Sequence, residues 1–456
     1  MADTQTDTVA EAGPSVDVAA LERLVRPLSA ESANGTAARR SEALAWIAQH
    51  GMPSRHDEPW HYTPFKDLEA ALDSATPAAD RHVTTDVVEG LAGTHGGARL
   101  VFVNGAHAPD ASLPGQGDVW CGTGSAVPDE HVALVAQASA DEPTDGFEAL
   151  NRAEQGEPAV VIAAPGAAPE APVHIVHVTA PGESMEIAHP RTVVVIGKDA
   201  NVSVIESYVG LPGPAVRNTV TTLFLGVGAT LTHHRVQTES TDCVQVGSTK
   251  VTQAANSTLA STSVMLGARV ARNAFRVNFQ GTGAKADLAG LQVLDGGQRH
   301  DTMITADHAA SGCRSDQEFK SVIDDRARSS FSGHIIVRPD VVATDAHQTN
   351  RNLLLSPKGQ ADTRPWLEIF ADDVQCTHGA TVGRLDDEAL FYLRSRGIDA
   401  ELARNMLIDA FIREVVDSVE PKSLRDHLKA LVRAKHDEAP IDHDTLHDEA
   451  KRLDVS

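Results

Sequence analysis

Cysteine is scarce in this chain, and the cysteines that are present do not cluster. The 456 residues include four cysteines, none of which belongs to a C-x-x-C motif: Cys121, Cys243, Cys313 and Cys376. Small disulfide-stabilised domains and self-contained zinc sites both need several cysteines at short, regular spacings. The sequence therefore excludes a disulfide framework and a local zinc-binding motif.

Basic residues are few compared with acidic residues. Lysine and arginine together number 39, aspartate and glutamate number 63, and the formal net charge is −24 at pH 7. Proteins that bind nucleic acid or anionic membranes present surfaces rich in lysine and arginine. We therefore expect neither nucleic acid nor a membrane among the partners of this chain.

Long hydrophobic segments and nucleotide-binding motifs are also missing. No apolar run is long enough to span a bilayer, and residues 1–7 show neither the basic nor the apolar region of a secretory signal. No segment matches the P-loop pattern G-x-x-x-x-G-K-S/T. These absences predict a cytoplasmic protein that lacks a P-loop of its own.

The length and the pattern along the chain predict several domains. A chain of this length is too long for one compact core, so two or three domains are expected. Apolar periodicity changes from helical to strand-like near residue 98 and back again near residue 381. The predicted division is a disordered tail at 1–16, an N-terminal helical region at 17–97, a β-rich core at 98–380, a C-terminal helical domain at 381–440 and a polar tail at 441–456.

A repeat runs through the β-rich core and is clearest at residues 190–370. Four turn-like tetrads begin 27 to 29 residues apart, at positions 197, 226, 253 and 281, and β-branched runs lie between them. A repeat of this length with short strands predicts a β-solenoid, in which each coil covers the next. Gln348, Asn350 and Asn352 would then share one face and join stacked amide ladders. The alternative is an antiparallel sandwich with hairpins of similar length.

The candidate site lies in the segment 367–381, which holds a Cys-X-His pair. In an extended chain Cys376 and His378 point to the same side, because side chains alternate along a strand. A thiol and an imidazole are soft and borderline metal ligands, but zinc usually takes four. The other ligands would have to come from elsewhere in the fold, from a second chain or from the cargo. The plain alternative is a buried thiol beside a structural histidine.

The C-terminal helical domain carries clear capping signals and an apolar stripe. Asp386 and Asp399 are predicted to cap two helices, and Gly397 is predicted to end the first. The second helix bears apolar residues at spacings of three and four: Leu402, Met406, Leu407, Ala410, Phe411 and Val415. This stripe must be buried, either on the end of the solenoid or on a partner.

Several of these segments together resemble a known family. The run 376–383, followed by 390–398, is similar to the C-terminal signature of the SufB/SufD family of iron–sulfur cluster assembly proteins. Segments 365–374, 352–356 and 58–63 are also similar to the family. The residue after the signature histidine is Gly379, which resembles the SufD-like branch, whereas SufB-like chains tend to have glutamate there.

The resemblance implies a fold and a role. The fold would be mainly β, a right-handed parallel β-helix flanked by N-terminal and C-terminal helical domains. The chain would be a non-catalytic scaffold that pairs with a SufB-like subunit and binds a SufC-like ABC ATPase through its C-terminal helices, at Leu402, Met406 and Phe411. His378 would lie at the subunit interface and help to build the cluster, and the role of Cys376 is left open.

The resemblance also bears on cofactors and assembly. No cofactor is expected to stay bound to the isolated chain, and iron or a nascent cluster would occupy the SufB interface transiently. Alone, the chain is expected to be able to form a homodimer through an exposed solenoid edge.

Two other functions are weighed against this one. The chain could be a SufB-like scaffold of a minimal system, although Gly379 occupies the position where SufB-like chains tend to have glutamate. It could also be a β-helix polysaccharide lyase or hydrolase that uses the charged residues Asp324, Asp325, Arg326 and Arg328. A turn rich in charge is more often a solvated loop, and no secretory signal supports an extracellular enzyme.

Overall fold

Most of the chain winds into two long, facing β-sheets. The computed structural model describes residues 21–27, 34–115, 117–154 and 156–435, without the side chains of 34–36. The predicted tails at 1–16 and 441–456 lie outside these ranges. One sheet has 11 strands and the other has 10.

The strands run through the chain in the following order. They are β1 Thr76–Pro77, β2 Arg99–Val103, β3 Ala106–His107, β4 Val119–Thr123, β5 Ala159–Ala163, β6 Val173–Thr179, β7 Glu186–Ala188, β8 Arg191–Ile196, β9 Asn201–Gly210, β10 Ala215–Leu225, β11 Thr230–Gln237, β12 Cys243–Gln253, β13 Thr258–Met265, β14 Val270–Phe279, β15 Lys285–Leu294, β16 Arg299–His308, β17 Arg314–Ile323, β18 Arg328–Val337, β19 Thr344–Leu354, β20 Gln360–Ile369 and β21 Val374–Arg384.

The helices flank this strand-rich core. They are α1 Asn34–His50, α2 Phe65–Ser74, α3 Thr85–Ala92, α4 Asp129–Ala138, α5 Gly146–Ala153, α6 Asp387–Ser395, α7 Ala400–Val416 and α8 Lys422–Lys435, with short 3-10 turns at Glu58–Trp60, Pro109–Ala111 and Gly124–Ala126. Across the described ranges, none of these helices combines the length and the apolarity that a bilayer-spanning helix needs.

Strand pairing defines a parallel β-solenoid. From β8 onward, even-numbered strands stack in one sheet and odd-numbered strands in the other, and every pair from β8–β10 to β19–β21 is parallel. Each coil therefore contributes one strand to each sheet and covers the apolar interior of the coil before it. The predicted solenoid is confirmed, and the alternative of an antiparallel sandwich is wrong for this core. The last strand continues to Arg384, past residue 380.

The turns between coils stack in the same way as the strands. Asp199, Gly228, Asn256 and Gly283 occupy equivalent turn positions, and their φ angles are 56°, 68°, 58° and 71°. This left-handed region favours glycine, asparagine and aspartate, which explains the composition of the repeat. Backbone amides bond from one turn to the next, for example Gly228 N–H to the Ala255 carbonyl at 2.9 Å.

One predicted tetrad is displaced by a residue. Gln253 is still the last residue of β12, and the turn spans Ala254 to Ser257, whose amide donates to the Ala254 carbonyl at 3.3 Å. Strand β12 is therefore one residue longer than its apolar pattern indicates. Its last residue, Gln253, is polar but buried.

Helices cover the outer faces of both sheets. On the 11-stranded sheet, Leu44, Ile47, Trp60 and Leu150 are among the N-terminal residues that pack against outward-facing valines such as Val246. On the 10-stranded sheet, α7 and α8 pack Ile408, Ile412, Val415, Leu424 and Leu428 against Ile205, Val236, Val264 and Leu291. Burial of each such side chain contributes about 1.5–3 kcal/mol.

The capping residues of the C-terminal helices are confirmed, but only Val415 of the predicted buried stripe is buried. The Asp386 carboxylate accepts from the Glu388 and Ala389 amides, and the Asp399 carboxylate accepts from the Glu401 amide. On α7 the buried residues are Ala403, Asn405, Ile408, Ile412, Val415 and Val416, whereas Leu402, Met406, Leu407 and Phe411 are half-buried and Ala410 is exposed. The helix lies along the face of the sheet, so its isoleucine and valine side is covered instead.

A buried ion pair ties the N-terminal segment to the solenoid. The Arg272 guanidinium lies 3.9 Å from the centroid of the Trp60 ring and donates to the Asp301 carboxylate. The same carboxylate accepts from the Thr63 hydroxyl at 2.6 Å. Arg272 and Asp301 are almost fully buried, so water cannot solvate either charge and each is compensated by the other.

We predict that Asp301→Asn destabilises the protein by about 3 kcal/mol, because it leaves the buried Arg272 charge without its counter-ion. The urea midpoint measures the effect. The control is Asp67→Asn, which removes the partner of the more exposed Arg269 and Arg299 and should cost less than about 1 kcal/mol. Equal shifts for the two variants would contradict the argument.

Candidate functional site

The solenoid ends in two strands that are paired on one side only. Strand β20 pairs with β18 and strand β21 pairs with β19, and no other strand in the described ranges pairs with their far edges. Such edges present unpaired backbone amides and carbonyls. The large apolar residues Ile369, Phe370 and Val382 are exposed at the same end. This combination is typical of a protein–protein interface.

Cys376 and His378 both lie on the terminal strand and face the inside of the solenoid. Cys376 is in register with Ala346, and His378 is in register with Gln348. Ala346 and Gln348 are buried between the two sheets, so the side chains above them continue the interior columns. Cys376 packs against the interior core and is half-buried, whereas His378 is exposed because no further coil covers it.

The Cys376 thiol is held in its protonated form. Burial raises its pKa above the ordinary value, and the carboxylate of Asp345 on the neighbouring strand raises the pKa further. The thiolate, rather than the thiol, is the metal ligand and nucleophile. Cys376 therefore needs a metal ion or another positive charge at this end before it can act as a ligand.

The chain brings only part of a ligand set to this end. Within the described ranges, no group of three or more His, Cys, Asp and Glu side chains is arranged to hold a metal ion. Cys376 and His378 together supply two donors of the types that iron and zinc accept. Further donors would have to come from a second protein or from the cargo itself.

Several other histidines of the core have structural contacts. His174 Nε2 lies 2.9 Å from the Ser207 hydroxyl, and the His177 ring stacks on Tyr208. His233 lies between the Glu206 carboxylate and the Ser261 hydroxyl in the solenoid interior. All are buried, and each is engaged within the core.

The charged turn at 324–328 is part of the scaffold. Asp324 pairs with Arg404 of α7 at 3.4 Å, and Arg328 pairs with Asp362 of β20 at 2.6 Å. These residues connect the turn to a helix and to the last coil. Their pairing gives no support to a uronate-binding cluster.

Of the partner-binding residues predicted on α7, Leu402 and Met406 lie outside the contact with the sheet, whereas the Phe411 ring packs at its edge, 4.9 Å from the Lys320 ammonium. Leu402, Met406 and Phe411 are half-buried. The side chain of Lys320, from β17, is buried beneath the helix, where its ammonium donates to the Phe411 carbonyl at 3.3 Å and pairs with Glu414. This contact fixes α7 to the sheet and leaves Leu402 and Met406 outside it.

Two exposed aromatic residues on α6 were missed by the sequence reasoning. Phe391 is 74% exposed and Tyr392 is 56% exposed, and no residue of α6 is buried. The signal was available in the run Leu390-Phe391-Tyr392-Leu393, since four consecutive apolar residues on a helix cannot all face one side. This helix adds an apolar surface beside α7.

Comparisons with known proteins agree with this architecture. A family model described as SUF system FeS cluster assembly, SufBD core domain, matches residues 177–411. An iron-sulfur cluster assembly SufBD family protein of Synechocystis is 31% identical over 413 residues, which cover 87% of this chain and 90% of the relative. A SufBD family protein of Mycobacterium leprae is 27% identical over 403 residues, covering 84% of this chain and 90% of the relative.

The chain therefore belongs to the SufBD family of iron–sulfur cluster assembly proteins. More particularly, it is a homologue of SufD. The iron-sulfur cluster assembly protein SufD of Escherichia coli is 30% identical over 392 residues, which cover 85% of this chain and 90% of that protein.

We predict that Asp345→Asn raises the rate at which iodoacetamide alkylates Cys376 at about pH 8, roughly two- to three-fold. The substitution removes a negative charge that disfavours the thiolate. Peptide mass spectrometry measures the rate at each cysteine. Cys121, whose pKa is raised by burial alone, serves as the internal control and should not change. A rate for Cys376 that stays equal to the wild-type rate would contradict the assigned cause.

Proposed function

We propose that this chain is a non-catalytic scaffold subunit of the SUF machinery, which pairs with a SufB-like subunit through the open end of its solenoid. The observation that carries the proposal is the terminal coil, which leaves two strand edges and an interior-facing histidine uncovered in a member of the SufBD family. Iron or a nascent cluster is the cargo, and it binds at the interface between the two subunits, which we call the seam.

Strand addition explains how the two subunits would join. A partner strand that pairs with β20 or β21 satisfies the free backbone groups of that edge. The same contact buries Ile369, Phe370 and Val382, each of which contributes about 1.5–3 kcal/mol when fully removed from water. In the absence of a SufB-like subunit, a second copy of this chain is the natural occupant of the same edge.

At the seam, His378 supplies an imidazole nitrogen to iron or to the growing cluster. A seam that excludes water favours soft donors such as thiolates and sulfide, and the partner subunit supplies the thiolate. Cys376 lies beside His378, and the charge of a bound iron ion would counteract the effects that keep its thiol protonated. This chain needs no catalytic group for that task.

The C-terminal helices are the docking surface for a SufC-like ABC ATPase. Phe391 and Tyr392 of α6 are exposed, and Leu402 and Met406 of α7 are half-buried outside the contact with the sheet. Phe411, also half-buried, lies at the edge of that contact. The opposite face of α7 packs on the 10-stranded sheet. A movement imposed on this helix by the ATPase would therefore reach the solenoid directly.

We predict that His378→Ala leaves the complex with the SufB-like and SufC-like subunits intact but lowers its bound iron and sulfide at least roughly ten-fold, as the loss of a metal-site residue does. Anaerobic metal and sulfide analysis of the purified complex measures the loss. His347→Ala is the matched control, because His347 lies on the neighbouring strand but bonds to Thr377 on the outer surface. Full loading of the His378→Ala complex would refute the proposed role.

We also predict that Phe391→Ala weakens ATPase binding by about thirty-fold or more, in keeping with an exposed aromatic anchor at an interface centre. Isothermal titration of the chain with the SufC-like subunit measures the affinity. Val132→Ala removes another exposed apolar side chain, on α4, and should leave the affinity unchanged. If both variants bind equally well, the docking surface lies elsewhere.

A further inference from the structure

An interior column of polar side chains leads to His378. Gln317 of β17 is in register with Gln348 of β19, and Gln348 is in register with His378 of β21. All three side chains face the space between the two sheets. Gln317 and Gln348 are buried beneath later coils of the solenoid. Only His378, the last side chain of the column, is exposed to solvent.

The amide of Gln348 has a defined direction within this column. Its Nε2 donates to Gln317 Oε1 at 2.7 Å, while its own Oε1 has no hydrogen-bond partner although the residue is only 1% exposed. A buried carbonyl oxygen without a hydrogen-bond partner is unfavourable. Because Nε2 is the atom that bonds to the inner coil, Oε1 is left as the free acceptor on the last covered residue of the column.

Gly333 makes room for this arrangement. A Cβ atom at position 333 would lie 2.1 Å from Nε2 and 2.6 Å from Oε1 of Gln348, so only glycine allows the amide to extend across the interior there. Any side chain at position 333 would therefore clash with the Gln348 amide and displace it.

His378 is within reach of the free acceptor. In-register residues on neighbouring strands are about 4.8 Å apart, and the step from Gln348 to Gln317 bridges that spacing with one hydrogen bond. The ring Nε2 of histidine is as many bonds from Cβ as the amide oxygen of glutamine. Because His378 is exposed, rotation of its side chain can bring a ring N–H onto Gln348 Oε1.

We propose that Gln348 positions the imidazole of His378 by accepting a hydrogen bond from one ring nitrogen. The other ring nitrogen then keeps its lone pair and faces the open end, as a ligand for iron should. The use of this lone pair rests on the function proposed above, whereas the hydrogen bond itself does not. Gln348 is thus a positioning residue, and His378 is the residue that meets the cargo.

The tautomer of His378 in the isolated chain tests the hydrogen bond. At about pH 8, where histidine is ordinarily neutral, the ¹⁵N shifts of the two ring nitrogens in histidine-labelled protein give the tautomer populations. The His378 signals are those absent from the His378→Gln spectrum. We expect one dominant tautomer in the wild type and, in Gln348→Met, a shift towards the mixture of free imidazole.

Two further variants make the test specific. Asn350→Ala changes the next interior residue of the same strand, which is in register with Ala380, and should leave the His378 tautomer unchanged. Gln348→Glu should restore the dominant tautomer, because its carboxylate still accepts from His378 and the unpartnered Nε2 of Gln317 can donate to it. Tautomer populations that are identical in wild type and Gln348→Met would overturn the proposal.

The outcome is distinguishable from a failure of the proposed function. If His378→Ala abolishes iron and sulfide loading while Gln348→Met leaves the tautomer unaltered, the scaffold role stands and the positioning role falls. If Gln348→Met redistributes the tautomers while His378→Ala complexes load fully, Gln348 orients the ring but the ring has no part in assembly.

Discussion

Parallel, in-register stacking of coils is the constraint on which the rest of this structure depends. Every strand from β8 onward has the same direction as its neighbours, so each side chain lies above a counterpart one coil earlier. Such columns are stable where like groups meet: valine on valine in the interior, or amide on amide between Gln317 and Gln348. The stacking also ensures that every coil except the last is covered by its successor.

The helices complete the fold without closing its end. N-terminal helices cover one outer face and C-terminal helices the other, and buried charges such as Arg272 and Lys320 hold those layers in place. The outer edges of the terminal coil are paired with no other strand within the described ranges. The site at Cys376 and His378 follows directly from this geometry, since interior side chains are exposed only where the stacking stops.

Much of this could be predicted from the sequence because the relevant signals are local. Asp199, Asn256 and Gly283 mark turns through their tolerance of left-handed backbone, and Asp386 and Asp399 mark helix starts through their side-chain oxygens. The Cys-X-His spacing placed Cys376 and His378 on one face of a strand, and in β21 they share a face.

Features that depend on long-range contact could not be predicted in this way. Helix α7 has apolar residues on two sides, and only the sheet beneath it decides that Ile408 and Ile412 are buried in preference to Leu402 and Met406. The pairing of Arg272 with Asp301 and Thr63 joins segments that are more than two hundred residues apart, at positions 63 and 272. The free acceptor on Gln348 is visible only once the amide direction within the column is known.

The alternation of side chains along β21 has a consequence for how this family can change its length. A single residue gained or lost between the last turn and His378 would rotate the histidine to the outer surface and present Thr377 or Gly379 to the seam. A whole extra coil, by contrast, would carry the terminal strand outward with its inner and outer faces unchanged. Evolution or design can therefore alter the reach of such a scaffold only in steps of one complete coil.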